Sequence, residues 1–412
     1  MKSTRNYPKV YISKRAYERQ KSSQHPWVYD NKIVKTEGEY TNGDIVDVFA
    51  EKGAYIGSGF INDNSKIRVR IISRNANDIF DESFWERRVR YAIAYRETVL
   101  PLDEDNNCRR LIHGESDGFS GLTLDQYGNV LVSQVLSLGI EKRKKEIYDQ
   151  ILRVLHEGSD SKDIYHIYER NDVSIRDLEG LEQGKAWYLG EGQTQPESTE
   201  IQIIENGIKY LVDFENGQKT GFFVDQKMNR RAVASISKGK TVLDCFTHTG
   251  SFGLNAARGG AKKVVSLDIS ERAIEQAKKN VSLNYKDSSP IEFEVADAFD
   301  YLETIKKNDF DFIILDPPAF TKSRKTIHNA YDGYKRINYL AMKALPRGGY
   351  LATCSCSHFM SHENFKKMLL DAAREAGVEL KQIEERQQGA DHPILLNVPE
   401  TDYLKFFIFQ VC

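Results

Sequence analysis

Two thiols stand two positions apart in Thr353-Cys354-Ser355-Cys356-Ser357-His358, and a carboxylate precedes two prolines in Asp316-Pro317-Pro318-Ala319-Phe320. Each motif follows a short apolar run, so each is expected where a buried strand gives way to a loop. Two prolines make a stiff corner and remove two N–H donors. Pro317 and Pro318 then leave carbonyl acceptors, and Phe320 a stacking face, to grip a planar base. Zinc wants four ligands, and no second cysteine cluster accompanies Cys354 and Cys356. Inert burial is the other ordinary fate of a thiol.

Reactive thiols at such a position suit methylation of a ring carbon. C5 of a pyrimidine is a poor nucleophile, but a thiolate added at C6 makes C5 enamine-like. A base then removes the C5 proton and the thiolate leaves. Asp316 is the candidate acid at N3. Methylation of a ring nitrogen or exocyclic amine needs no such adduct and gives the thiols no role.

A methyl donor needs its own pocket. The run 241–244 leads into Cys245-Phe246-Thr247-His248-Thr249-Gly250-Ser251-Phe252-Gly253 and then a helix. Small residues there let the backbone approach a ligand closely. Asp268 ends the next strand, placed to accept from both ribose hydroxyls, and Ser270 is the expected cap of the helix after it. Asp297 ends the third strand, placed to accept from an adenine amino group. The loop lacks a full G-x-G-x-x-G, which favours S-adenosyl-L-methionine over a dinucleotide. The alternative readings are helix capping for Asp268 and a surface loop acid for Asp297.

These positions need a sheet to align them. From about residue 200, apolar runs at 241–245, 263–267, 292–295, 312–315 and 350–353 alternate with helical stretches such as 271–284 and 328–345. That pattern predicts a doubly wound parallel sheet, an α/β fold, ending in an antiparallel hairpin formed by 378–384 and 403–411. Residues 1–77 read as short strands at 32–36, 44–49, 55–61 and 67–72, a small barrel. Residues 78–195 read as a small central α+β region, with helices at 81–100 and 142–155 and a hairpin around Tyr127-Gly128-Asn129. A polar linker at 190–196 precedes the third region, 196–412.

Of 412 residues, 40% are hydrophobic and 29% charged, the balance of a soluble globular protein of two or three domains. No stretch reaches the roughly 20 apolar residues that span a bilayer, so no membrane role is expected. The five scattered cysteines suggest a reducing, cytoplasmic setting. Net charge is only −2, yet residues 1–77 carry fourteen Lys or Arg against eight Asp or Glu. Arg5, Lys9, Lys14, Arg15, Arg68 and Arg70 are therefore candidate contacts to an RNA backbone, against the plainer reading of a solvated surface.

Together these motifs resemble the PUA-domain RNA cytosine-C5 methyltransferases of the large-subunit ribosomal RNA methyltransferase I type, over essentially the whole chain. His25-Pro26-Trp27-Val28-Tyr29, Gly43-Asp44-Ile45-Val46 and Ser65-Lys66-Ile67-Arg68-Val69-Arg70 are similar to a PUA barrel. Gly114-Glu115-Ser116-Asp117-Gly118-Phe119-Ser120-Gly121-Leu122 resembles the family's central domain. Lys219-Thr220-Gly221-Phe222-Phe223-Val224-Asp225-Gln226 resembles the segment closing over the cofactor, ahead of a Rossmann-like methyltransferase domain. Ala390-Asp391-His392-Pro393 completes the set. The resemblance implies that Asp225 and Gln226 sit near the cofactor. It places Thr247, Thr249 and Gly250 at its amino-acid end, Asp268 at its ribose and Asp297 at its adenine. Asp316 belongs to both the cofactor and the catalytic sets. Cys356 would be the nucleophile and Cys354 its understudy. Many relatives carry a second thiol after the first proline; Pro318 stands there instead, leaving Asp391 and His392 as the remaining candidates for proton removal. The implied partner is large-subunit ribosomal RNA, with a homodimer left open. A guanine- or amino-directed methyltransferase, or a cofactor-binding assembly factor, is the alternative.

Overall fold

The computed structural model describes residues 5–157, 165–190, 193–286, 288–320 and 327–412; part of the polar linker, residues 191–192, lies outside them. The N-terminal sheet contains β1 (Lys9–Ile12), β2 (Trp27–Val28), β3 (Ile33–Glu37), β4 (Ile45–Ala50), β5 (Tyr55–Ile61) and β6 (Val69–Ser73), in the order β2-β6-β5-β4-β1-β3. Four of these strands are as expected from the sequence; helix α1 (Lys14–Ser23), between β1 and β2, is not. Ser13 caps α1, and Ala16 and Gln20, four apart, are buried beneath it. The basic residues Lys14, Arg15, Arg19 and Lys21 are left facing solvent.

Helix α2 (Glu82–Val99) leads into a second sheet, ordered β11-β10-β9-β8-β7. Its strands are β7 (Cys108–His113), β8 (Leu122–Tyr127), β9 (Val130–Val135), β10 (His166–Arg170) and β11 (Lys185–Tyr188). Between β9 and β10 lie α3 (Leu138–Glu141) and α4 (Lys144–Glu157). Gly128, at φ +54, makes the expected turn between β8 and β9. A hairpin of β12 (Glu200–Glu205) and β13 (Ile208–Asp213) follows, then α5 (Lys227–Ile236).

The third region alternates as the sequence predicts: β14 (Thr241–Cys245), α6 (Ser251–Arg258), β15 (Lys263–Asp268), α7 (Glu271–Asn284), β16 (Ile291–Val295), α8 (Ala298–Thr304) and β17 (Phe312–Leu315). It continues through α9 (Ile327–Ala344), β18 (Tyr350–Ser355), α10 (His362–Ala376), β19 (Leu380–Arg386) and β20 (Lys405–Val411). The seven strands lie in the order β16-β15-β14-β17-β18-β20-β19, parallel except for β20, which pairs antiparallel with both β18 and β19. Side chains alternate across the sheet: Val242, Phe312, Ile314 and Ile408 enter one core, Leu243, Ile313, Leu315 and Phe407 the other. Strand order reverses between β14 and β17, and in such sheets a ligand cleft opens there, beyond the carboxyl ends of the strands. Among the described residues, no helix is long and apolar enough to cross a membrane.

Candidate active site

The loop leaving β14 is strained. Phe246 (φ +64), His248 (φ +51) and Gly250 (φ +78) all lie in the left-handed region, at roughly 1–3 kcal/mol for each non-glycine. Asp244 anchors it: its Oδ2 accepts from Thr247 Oγ1 (2.5 Å) and Gly253 N (2.9 Å). A side chain at Gly253 would strike Ser266 Oγ at 2.4 Å, so this glycine serves helix packing rather than ligand approach. Asp268 ends β15, its two oxygens accepting from His248 N (2.9 Å) and Ser270 N (3.0 Å), while Ser270 caps α7 as expected. Asp297 caps α8 through Oδ1, taking Phe299 N and Asp300 N, and is more than a loose surface acid.

Among the described residues, the buried oxygens Asp225 Oδ1, Asp244 Oδ1 and Thr249 Oγ1 have no hydrogen-bond partner. Buried polar atoms are normally paired, so these fit the polar end of a ligand. Beside Asp268 and Asp297, Ile269 and Val295 are 71% and 51% exposed, an apolar seat suited to an adenine ring. Neither residue stands out in the sequence. These groups suit the two ends of S-adenosylmethionine.

The two thiols occupy different environments. Cys354, in β18, is fully buried beside Asp316. Burial and the adjacent Asp316 push it well above the ordinary thiol range. Cys356, just past the strand, is partly exposed. Burial and Asp316 push it up as well, while Lys219 and Lys405 oppose them. Asp316 ends β17 and is itself pushed up to about 6, by burial and then by Asp225. A relay orients it: Asn229 Nδ2 donates to Gln226 Oε1 (2.6 Å), and Gln226 Nε2 donates to Asp316 Oδ1 (3.1 Å). Pro317 is buried and Pro318 exposed. Phe320 packs against Tyr334 (4.5 Å between centroids) and Phe299 (6.1 Å), so it props the proline corner more than it offers a free stacking face.

A cavity of about 280 Å³ adjoins this cluster, lined by Arg110, His113, Lys219, Asp225, His392 and Tyr403 among others. Burial opposes ionisation of Asp225, yet Lys219, His392 and the Tyr403 hydroxyl (2.7 Å) hold it below the usual carboxylate range. Asp391 fixes His392 through Nδ1 (2.9 Å), leaving Nε2 as the other ring nitrogen. Lys219 sits in left-handed backbone (φ +52) with its ammonium 4.9 Å from the Phe223 ring centre. Lys405 pairs across the sheet with Ser355, and its Nζ donates to Ser357 O (2.6 Å) and Tyr403 O (2.8 Å). Burial lowers its pKa to about 8. Lys405 and Tyr403 escape the sequence reading because only strand register brings them to the thiol loop.

The barrel arginines meet a different fate. Arg70 is buried and donates to Glu179 (2.8 Å), tying β6 to the central region, so an exposed strand face is the wrong description of it. Arg68 bridges Asp30 (2.6 Å) and Asp63 (2.7 Å), and Arg5 pairs with Asp47 (3.5 Å).

Comparison with known proteins agrees with this architecture. Residues 109–409 match the S-adenosylmethionine-dependent methyltransferase family model and residues 10–74 a PUA-like domain model. The chain is 39% identical over 403 residues to ribosomal RNA large subunit methyltransferase I of Aeromonas salmonicida, covering 97% of this chain and 98% of that one. It is 41% identical over 390 residues to the protein of the same name from Pseudoalteromonas atlantica, covering 94% and 95%. A structure from Streptococcus mutans assigned to the SAM-dependent methyltransferases shares the fold, with a TM-score of 0.79 at 21% identity over 98% and 99% of the two chains. A methyltransferase-assigned structure complexed with SAH scores 0.80 at 21% identity, covering 97% and 99%. The chain therefore belongs to the PUA-containing S-adenosylmethionine-dependent methyltransferases of the ribosomal RNA large subunit methyltransferase I type.

Proposed function

We propose that this chain methylates C5 of a cytosine in large-subunit ribosomal RNA, with Cys356 as nucleophile and Asp316 as the acid at N3. The names of its relatives support the RNA class. The contrast between the thiols supports the base and the mechanism: Cys354 is sealed in the core beside Asp316, while Cys356 is partly exposed beside two lysines. Bound S-adenosylmethionine supplies an electrophilic methyl group, held in this reading by Asp268 at the ribose, Asp297 at the adenine, and Asp225, Thr247, Thr249 and Gly250 at the amino-acid end.

The cytosine must leave its stack to enter the cavity. Lys219 and Lys405 make ionisation of Cys356 less costly. As sulfur bonds to C6, Asp316 protonates N3, a transfer helped by a carboxyl raised toward neutral pH. C5 then takes the methyl group. His392, fixed by Asp391, receives the C5 proton, the C5–C6 double bond returns, the C6–S bond breaks and Asp316 takes back the N3 proton.

The decisive experiment incubates the protein with labelled methyl donor and large-subunit RNA from cells lacking it, then identifies the modified nucleoside. Expected are 5-methylcytosine for the parent and Cys354→Ala, and no product for Cys356→Ala. A methylated guanine, or full activity in Cys356→Ala, overturns the cytosine reading.

A further inference from the structure

A second cavity, of about 650 Å³, lies at the seam between the barrel, α2 and the loop around Pro393. On its α2 wall, Arg87, Tyr91 and Tyr95 are spaced four apart and so share one face of the helix. Tyr91 is 68% exposed and Tyr95 38%, so both rings reach solvent on the same helix face. The Tyr95 hydroxyl donates to Ala390 O (3.1 Å). The next residue, Arg96, donates to Asp391 O (2.9 Å). The seam thus ends at the segment that carries His392 into the catalytic cavity.

The charges along the seam are unequal. Its acids are all answered: Asp78 by Arg87 (3.3 Å), Glu115 by Arg70 (3.7 Å) and Asp117 by Arg96 (2.6 Å). Arg74 and Arg88 instead donate to backbone carbonyls, Arg74 to Gln24 O (2.7 Å) and Ile56 O (3.1 Å), Arg88 to Ile72 O and Gly118 O. A carbonyl orients a guanidinium without cancelling its charge. Among the described residues neither has a carboxylate within ion-pair distance, so the seam keeps positive charge next to exposed aromatic rings. Such a combination of phosphate attraction and sequence-tolerant stacking suits single-stranded nucleic acid.

We propose that this seam is the track for the unpaired RNA flanking the target nucleotide, with Tyr91 and Tyr95 stacking its bases and Arg74 and Arg88 holding its phosphates. The proposal rests on the reading of RNA as substrate and adds the path by which RNA reaches the thiol. Stacking requires unpaired bases, so the track selects an opened strand over a duplex.

The test measures binding of a fluorescent single-stranded RNA of about 12 nucleotides, and of its duplex, across a salt series. Methyl transfer to large-subunit RNA, naked and in ribosomal particles, is measured in parallel. The double variant Tyr91→Ala/Tyr95→Ala should weaken single-strand binding roughly tenfold or more with an unchanged salt slope. Tyr91→Phe should bind like the parent, and Arg74→Gln should shallow the slope by about one. Unchanged melting temperatures show that the variants fold. A double variant that binds and methylates like an active parent overturns the track alone. So does one that binds naked RNA normally but no longer modifies ribosomal particles, which would mark the rings as a protein-docking face. A parent that binds no RNA overturns the track and the substrate reading together.

Discussion

Three barrel arginines are answered by carboxylates of their own chain; at the carboxyl edge of the seven-stranded sheet, polar groups are left open. Arg5, Arg68 and Arg70 each end on a carboxylate of their own chain. Across the molecule, Asp225 and Asp244 each keep a buried oxygen without a partner among the described residues, and Lys219 rests over an aromatic ring in strained backbone. Leaving a buried polar group unpaired costs roughly 1–3 kcal/mol, so a fold keeps such groups only where something else repays them. These three arginines assemble the protein; the sheet edge holds charge in reserve for a ligand.

The largest expected effect lies at the sheet edge. His392→Gln should still form the bond between Cys356 and C6 but fail to remove the C5 proton. Turnover should then stop while a denaturant-stable protein–RNA adduct accumulates, seen as a shifted band on a denaturing gel. Free turnover without adduct would assign the proton to another group. On the barrel side, Arg70→Ala leaves Glu179 buried without its cation and should cost about 3–5 kcal/mol of stability. Denaturant unfolding checks this. An Arg70 held in reserve for RNA would instead leave stability nearly unchanged.

Much of the sheet edge was legible in the sequence because topology leaves it little choice. A doubly wound sheet gathers its parallel strand ends at one edge, so Asp244, Asp268, Asp297, Asp316 and Cys356 had to converge once the alternation was recognised. Lys405 was not legible. It reads as the polar flank of an apolar strand, and only the antiparallel register of β20 against β18 sets it opposite Ser355. The direction of the barrel charges was hidden as well. Arg68 and Arg70 occupy one strand face by alternation, but Glu179, which buries Arg70, lies 109 residues away. Charge density shows where cations are; partners distant in sequence decide whether they are free.

A smaller effect tests the open carboxylates. Asp244 is pushed up to about 7 from 3.8, chiefly by burial, with Thr247 and Gly253 opposing. Its protonated form is the one favoured by folding, so this contribution to stability is complete below about 4 and is lost as pH rises through about 7. Ligand binding should run the other way, because an ionised Asp244 attracts the cofactor's ammonium group. S-adenosylmethionine affinity should therefore fall as pH drops through 7, by up to about tenfold per unit, and Asp244→Asn should flatten the profile. Titration calorimetry between about pH 6 and 7.5 checks both. A flat profile in the parent would mean that the buried oxygen belongs to the fold.

The smallest effect is the most discriminating. Asp30 and Asp63 leave 62% and 44% of their side chains exposed, so the pairs they form with Arg68 are surface pairs. Such pairs contribute under about 1 kcal/mol. Arg68→Ala should thus shift melting only slightly. If the guanidinium stays with its two aspartates, the salt slope of RNA binding should not change either, because no phosphate contact is lost. A slope shallower by about one would mean that Arg68 exchanges its aspartates for a phosphate when RNA arrives. Exposed pairs make that exchange cheap, whereas the buried Arg70–Glu179 pair forbids it. The dividing line would then run at the start of β6, between an arginine that assembles the barrel and one two residues earlier that meets the substrate.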